Sequence, residues 1–173
     1  MDTLQKTGRK IEKAVSGKPE SPADQDVLDT VKEEHDEVKE LLAKLVKSES
    51  APERRSLLKQ IKSALIPHSR AEEKIVYDGV IAIRETQAKI DGEEGYLEHG
   101  LADKMLGVLG KIAEVKSPEF SATAKVLKEL VEHHVSEEER NVWRDMRENF
   151  DLDARIAMNK RYLAAKSKVR VPA

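Results

Sequence analysis

The chain contains no cysteine, which excludes disulfides, thiolate metal sites and cysteine nucleophiles together. Aromatic residues make up only 3%, so a core has to be built from Leu, Val, Ile and Ala. Glycine and proline number 8 and 6 in 173 residues while 37% are charged, a balance that favours long solvated helices over sheets. No apolar run approaches the roughly 18 residues of a membrane-spanning helix. The N-terminus, MDTLQKTGRKIEKAV, lacks the continuous apolar stretch of a secretory signal, so a cytoplasmic protein is expected. A formal net charge of −2 gives no electrostatic case for nucleic acid or acidic membranes as partners. The length fits one domain that can bury a real core.

Against that plain background the five histidines are conspicuous. HSRAEEKIVY begins at His68 and HVSEEERNVW at His134; aligned on the histidine, both carry glutamate four residues on (Glu72, Glu138) and five on (Glu73, Glu139). Each closes on a valine and a large aromatic, Val76-Tyr77 and Val142-Trp143. EEHDEVKELLAKL around His35 and LEHGLADKMLGVL around His99 also match each other. The order His, His-x-x-x-Glu, His, His-x-x-x-Glu is an approximate duplication of a two-helix unit.

Three punctuation marks, Ser21-Pro22, Ser50-Ala51-Pro52 and Ser117-Pro118, read as helix starts. Serine caps an N-terminus and proline is tolerated in a first turn whose N–H has no partner. Helical periodicity then places His35 on a stripe with Leu28, Val31, Val38, Leu42 and Leu45, His68 with Ile61, Leu65 and Ile75, and His134 with Leu127, Leu130 and Val131. Helices are expected over 23–48, 52–78 with Gly79 as C-cap, 96–115 and 118–148. A short extra helix at 80–90 and a loop DGEEG at 91–95 fill the connection, and Pro67 is expected to kink the second helix just before His68. The expected fold class is all-α, an antiparallel up-down-up-down four-helix bundle. Residues 1–22 form an N-terminal amphipathic extension, 23–148 the bundle and 149–173 a basic C-terminal helix or tail.

Residues i and i+4 share a helix face, so His68 with Glu72 and His134 with Glu138 project inward side by side. A buried carboxylate costs several kcal/mol unless paired, and no lysine or arginine lies on those stripes. Two cations held by imidazole and carboxylate resolve the problem, with iron, manganese or zinc the suitable ions. His133 with Glu137 offers a shifted register, but it shares its face with Val126, Glu129 and Asn141, so it is expected at the rim. Glu34, Glu73, Glu98 and Glu139 are read as solvated or as supports for the ligands. A ferritin-like Glu-x-x-His pattern is excluded, because Lys32, Leu65, Tyr96, Leu130 and Val131 precede the five histidines by three.

With these motifs the chain resembles the hemerythrin-like family, or HHE cation-binding domains, over about residues 27–145. The resemblance implies a four-helix bundle with a non-haem di-iron centre, two irons bridged by oxo or hydroxo and by two carboxylates. Its ligands would be His35, His68, His99 and His134, with Glu72 and Glu138 bridging. The oxygen-carrying members have a further histidine one turn after the helix-3 histidine; here that position is Asp103. Asp103 is either a replacement ligand or an acid near an open coordination position. The ligand set also resembles that of iron–sulfur-cluster repair proteins of the same superfamily, without their cysteine-bearing domain. The family reading implies a protein that binds or senses O2, NO or peroxide, or handles iron, under oxidative or nitrosative stress. Two other readings stay open: peroxide or NO reduction at the same centre, with Tyr96 near His99 as a donor, and a metal-stabilised protein-interaction module with basic ends (Lys6, Arg9, Lys10 and Lys13; Lys160, Arg161, Lys166 and Lys168).

Overall fold

A computed structural model describes residues 21–172, and within them every regular element is helical. The basic N-terminal residues Lys6 to Lys13 lie outside the described residues. The elements are α1 (Val27–Lys47), α2 (Ala51–Glu72), a π-helical turn (Glu73–Tyr77), α3 (Asp78–Ile81), α4 (Thr86–Lys111), α5 (Pro118–Arg140), α6 (Val142–Asn149) and α7 (Leu152–Lys166). A 3-10 turn, Pro22–Asp24, precedes them.

Two of the three serine-proline marks start helices as expected: Ser50 accepts from Glu53 N and Ser117 from Phe120 N, caps worth about 1 kcal/mol each. The Ser21 mark opens the 3-10 turn instead, and Asp26 caps α1 by accepting from Leu28 N. Helix α2 runs unbroken through Pro67. Gly79 is not a left-handed cap, since no described residue has positive φ. The DGEEG segment is not a loop: it lies inside α4, which begins at Thr86 rather than near residue 96. The expected fourth helix is broken at Asn141 into α5 and α6.

Helix α1 packs against α2 and α5, and α4 against α5 and α2. At one end Arg54, 7% exposed, donates to the carbonyls of Ser48 and Val115 and so ties the α1–α2 and α4–α5 connections together. The basic C-terminal stretch is a docked helix: α7 packs on α1, α2 and the π-turn with Tyr162 fully buried.

The buried apolar residues form two clusters. One runs from Val38, Leu42, Leu45 and Ile61 to Leu106, Leu109, Leu127 and Val131. The other gathers Val27, Val31, Val76, Tyr77, Val142, Trp143, Met146 and Tyr162. The histidine on α1 lies between Val31 of one cluster and Val38 of the other, and that on α2 between Leu65 and Ala71; on α5 His134 lies at the end of the first cluster, between Val131 and Val135, with Val142 of the second beyond it.

Candidate metal centre

His35, His68, His99 and His134 come from α1, α2, α4 and α5 and are each no more than 6% exposed. They meet in two pairs, His35 with His68 at 5.0 Å between ring centroids and His99 with His134 at 4.7 Å. Glu72 and Glu138 lie between the pairs. Glu72 Oε2 is 3.2 Å from His68 Nε2 and 3.4 Å from His99 Nε2. Glu138 Oε2 is 3.4 Å from His35 Nε2 and 3.5 Å from His134 Nε2. One oxygen or nitrogen from each of His35, His68 and Glu72, and likewise from Glu72, His99 and His134, falls within 4.8 Å of the others.

All four imidazoles turn Nε2 inward because each Nδ1 is held by a different carboxylate. Glu139 backs His35 at 3.2 Å, Glu34 backs His68 at 3.0 Å, Glu73 backs His99 at 3.3 Å and Glu98 backs His134 at 2.7 Å. A proton donated outward from Nδ1 leaves a bare lone pair at Nε2, the tautomer a metal requires. These supports obey the internal repeat. Glu34 and Glu98, each just before a histidine, back the histidine of the following helix; Glu73 and Glu139 reach across to the other hairpin. Three supports carry an outer cation: Lys166 on Glu34, Arg70 on Glu73 and Lys32 on Glu139. Among the described residues the two inner glutamates pair with no lysine or arginine, only with histidines.

The donor set fits cations. His99 Nε2 and His134 Nε2 face each other at 3.1 Å, an arrangement that needs a proton or an ion between two lone pairs. His35 Nε2, Glu72 Oε1 and both Glu138 oxygens are buried without a hydrogen-bond partner among the described residues. Protons compete for the same lone pairs. At His68 burial opposes the charged ring, but Glu72 and Glu34 outweigh it and push its pKa up to about 10. Burial is likewise overcome at His35 by Glu138 and Glu139, and at His99 by Glu72 and Glu73, raising both. Glu72 is held well below the usual carboxylate range despite its burial, chiefly by His68.

The remaining candidates lie elsewhere. Asp103 is bound to Arg70, which also binds Glu73, so it stands behind the support of His99 rather than among the inward-facing atoms. The Tyr96 hydroxyl lies within hydrogen-bond distance of the Glu73 carbonyl, 2.9 Å, and of Asp78, 2.8 Å, outside the centre. His133 is exposed and lies near Glu98 and Glu137 at the rim.

Sequence reasoning noted Tyr77 and Trp143 only as the ends of the two repeats, with no role at the centre, and passed over Tyr162. Tyr77 places its hydroxyl 3.3–3.4 Å from Glu72, His99 and His134. Trp143 stacks on His35 with ring planes 7° apart. Tyr162, from α7, donates to Glu34 at 2.7 Å. Tyr77 and Trp143 occupy equivalent places in the repeat, which was the available signal; Tyr162 had none. Beside His134, Glu138 and Tyr77 a cavity of about 10 Å³ leads outward past Glu94 and Glu137. That is about the space of one water.

The family model of the hemerythrin HHE cation binding domain matches residues 26–147. The chain belongs to the hemerythrin HHE family. The hemerythrin match spans all six inward-facing His and Glu residues and every support, but stops before α7. A protein described as a DNA nickase, from Nostoc sp. (strain PCC 7120 / SAG 25.82 / UTEX 2576), is 26% identical over 147 residues. That alignment covers 85% of this chain but 41% of the relative, so the chain spans about two fifths of that protein's length. No solved structure gives a significant match.

Proposed function

We propose that this hemerythrin-family chain holds two iron ions between its four histidines and uses them to bind or sense O2, NO or peroxide, or to handle iron, in oxidative or nitrosative stress in the cytoplasm. His35, His68, His99 and His134 would be the terminal ligands, with Glu72 and Glu138 shared between the ions; manganese or zinc would suit the same donors. The helices would follow one another up, down, up and down, and the short connections at Ser48–Ser50 and Ile112–Ser117 support that order. When bound, two irons would supply redox-active positions for a small ligand. The protein's residues do the rest. The carboxylates behind each Nδ1 fix ring orientation and raise donor strength, while the two apolar clusters exclude bulk water.

One observation carries this reading: four buried imidazoles and two buried carboxylates turn their lone pairs toward one another, with no lysine or arginine among the described residues paired to the two carboxylates, and the adjoining cavity of about 10 Å³ is about the space of one water. Metabolite sites are typically ~300–1,000 Å³. Metal analysis followed by anaerobic titration of the ferrous protein with O2, NO and peroxide tests it. Two ions per chain and a spectral change with one of the three are expected. A folded, equally stable chain that takes up no ions overturns it. Turnover of peroxide or NO would mark a reductase.

A second reading has one observation in its favour. Grooves of about 620, 480 and 450 Å³ run along α2 beside the C-terminal residues, lined by Arg55, Lys59, Lys62, Arg70, Lys74 and Arg170. Among the described residues the acid lining them is Asp103, already bound to Arg70. Such a face suits a polyanion, in keeping with the activity named for the Nostoc relative. The closed centre admits no phosphodiester, so the small-ligand reading stands first. Incubating the metal-loaded chain with supercoiled plasmid separates the two: relaxation would favour nicking, and intact plasmid would dismiss it.

A further inference from the structure

Tyr77 is fully buried, yet its hydroxyl makes no good hydrogen bond. Its neighbours are Glu72 Oε2 at 3.4 Å, His99 Nε2 at 3.4 Å and His134 Nε2 at 3.3 Å. A phenol bonding to a carboxylate normally sits at ~2.5–3.0 Å. Here the oxygen is nearly equidistant from three acceptors and close to none.

The same distances suit another role. Atoms that share one ion at about 2.0–2.1 Å stand about 2.9–3.4 Å from their neighbours, the lower figure for six ligands and the upper for four. His99 Nε2 is 3.1 Å from His134 Nε2 and 3.4 Å from Glu72 Oε2, and Tyr77 adds its three contacts of 3.3–3.4 Å. We infer that Tyr77 is itself a metal ligand, its oxygen joining Glu72, His99 and His134 around one of the two ions. The inference rests on the two-metal reading above and extends it. The O–H bond gives way to an O–metal bond and the proton leaves to solvent, as expected when a cation displaces protons from its ligands.

Local backbone structure brings the ring there. In an α-helix the residue five after Glu72 would lie about 140° around from it. The segment Glu73–Tyr77 is a π-turn, in which the fifth residue takes the place that the fourth holds in an α-helix, so Tyr77 swings back under Glu72. Opposite, Gly95 makes room: a Cβ there would stand 2.5 Å from Tyr77 Cζ. In the repeat the matching residue is Trp143, whose ring nitrogen only donates, so the His35–His68 position gains no such ligand and the two ions are unequal.

The test loads the full chain with ferrous iron, oxidises it in air, and records the visible spectrum and resonance Raman scattering. A phenolate-to-iron band in the visible, enhancing tyrosine ring modes, is expected. Tyr77→Phe should keep two ions per chain and lose both signals, while Tyr96→Phe keeps them. Two bound ions without those signals in the unsubstituted chain overturn the inference and leave the two-metal reading intact, as does their persistence in Tyr77→Phe. Absence of bound ions overturns both. The Raman arm on the unsubstituted chain decides the matter even where the variant does not fold.

Discussion

Glu34 supports not His35, its neighbour in sequence, but His68 on the next helix, accepting from Nδ1 at 3.0 Å. The same carboxylate accepts from Tyr162 and pairs with Lys166, so one acid links α1, α2 and α7. Replacing Glu34 by Gln should leave the fold intact and lower metal affinity by about 10–100-fold, the usual cost of losing such a support. Competition against a metal chelator measures it; unchanged affinity would remove Glu34 from the centre.

Proton and ion should compete in a readable way. In the ion-free protein the His68 pKa stands at about 10, above the ~6.5 of an unfolded chain. Its stabilising contribution is therefore complete below pH about 6.5 and disappears as pH rises through 10. Metal needs the neutral ring, so the loaded protein gains over the same interval. Thermal unfolding with and without a chelator should show the gap in Tm widening from pH 6.5 to 9.5. A gap that narrows with pH would show that ions do not replace protons at these rings.

The glycines of α4 should divide by what they face. Gly100 and Gly107 have open space where a Cβ would go, so alanine at either should stabilise by about 0.5–1 kcal/mol. At Gly95 the Tyr77 ring fills that space, and overpacking of about 1–3 kcal/mol should outweigh the helix gain. Urea unfolding of the three alanine variants checks the contrast in sign. Stabilisation by Gly95→Ala would mean that Tyr77 sits elsewhere.

Removing residues 151–173 should harm the bundle rather than trim a tail. Met158 and Tyr162 are buried against the cluster that includes Val27 and Val31, and burying each such side chain is worth about 1.5–3 kcal/mol. The shortened chain should lose at least about 3 kcal/mol and bind metal more weakly through the freed Glu34. An unchanged denaturation midpoint would show α7 to be dispensable.

The six inward-facing residues were legible because the repeat aligned them and because i, i+4 spacing needs no tertiary information. Other features carried no such periodic mark. Gly92 and Gly95 looked like a loop, yet they are helical positions where Ile81 and Tyr77 press against the backbone; glycine signals both situations alike. Tyr77 lies nine residues after His68, the wrong face of a regular helix, and only the π-turn returns it. The four supporting glutamates were named but not placed, since two of them act across hairpins. Tyr162 depends on α7 folding back over α1, which periodicity within α7 does not encode.

The chain has a single tryptophan, and it lies flat against His35 with ring centroids 6.3 Å apart. Its fluorescence is therefore a built-in gauge. An iron ion gripped by that imidazole would sit close enough to quench the emission, so filling and emptying of the His35 side can be followed in real time without any added dye.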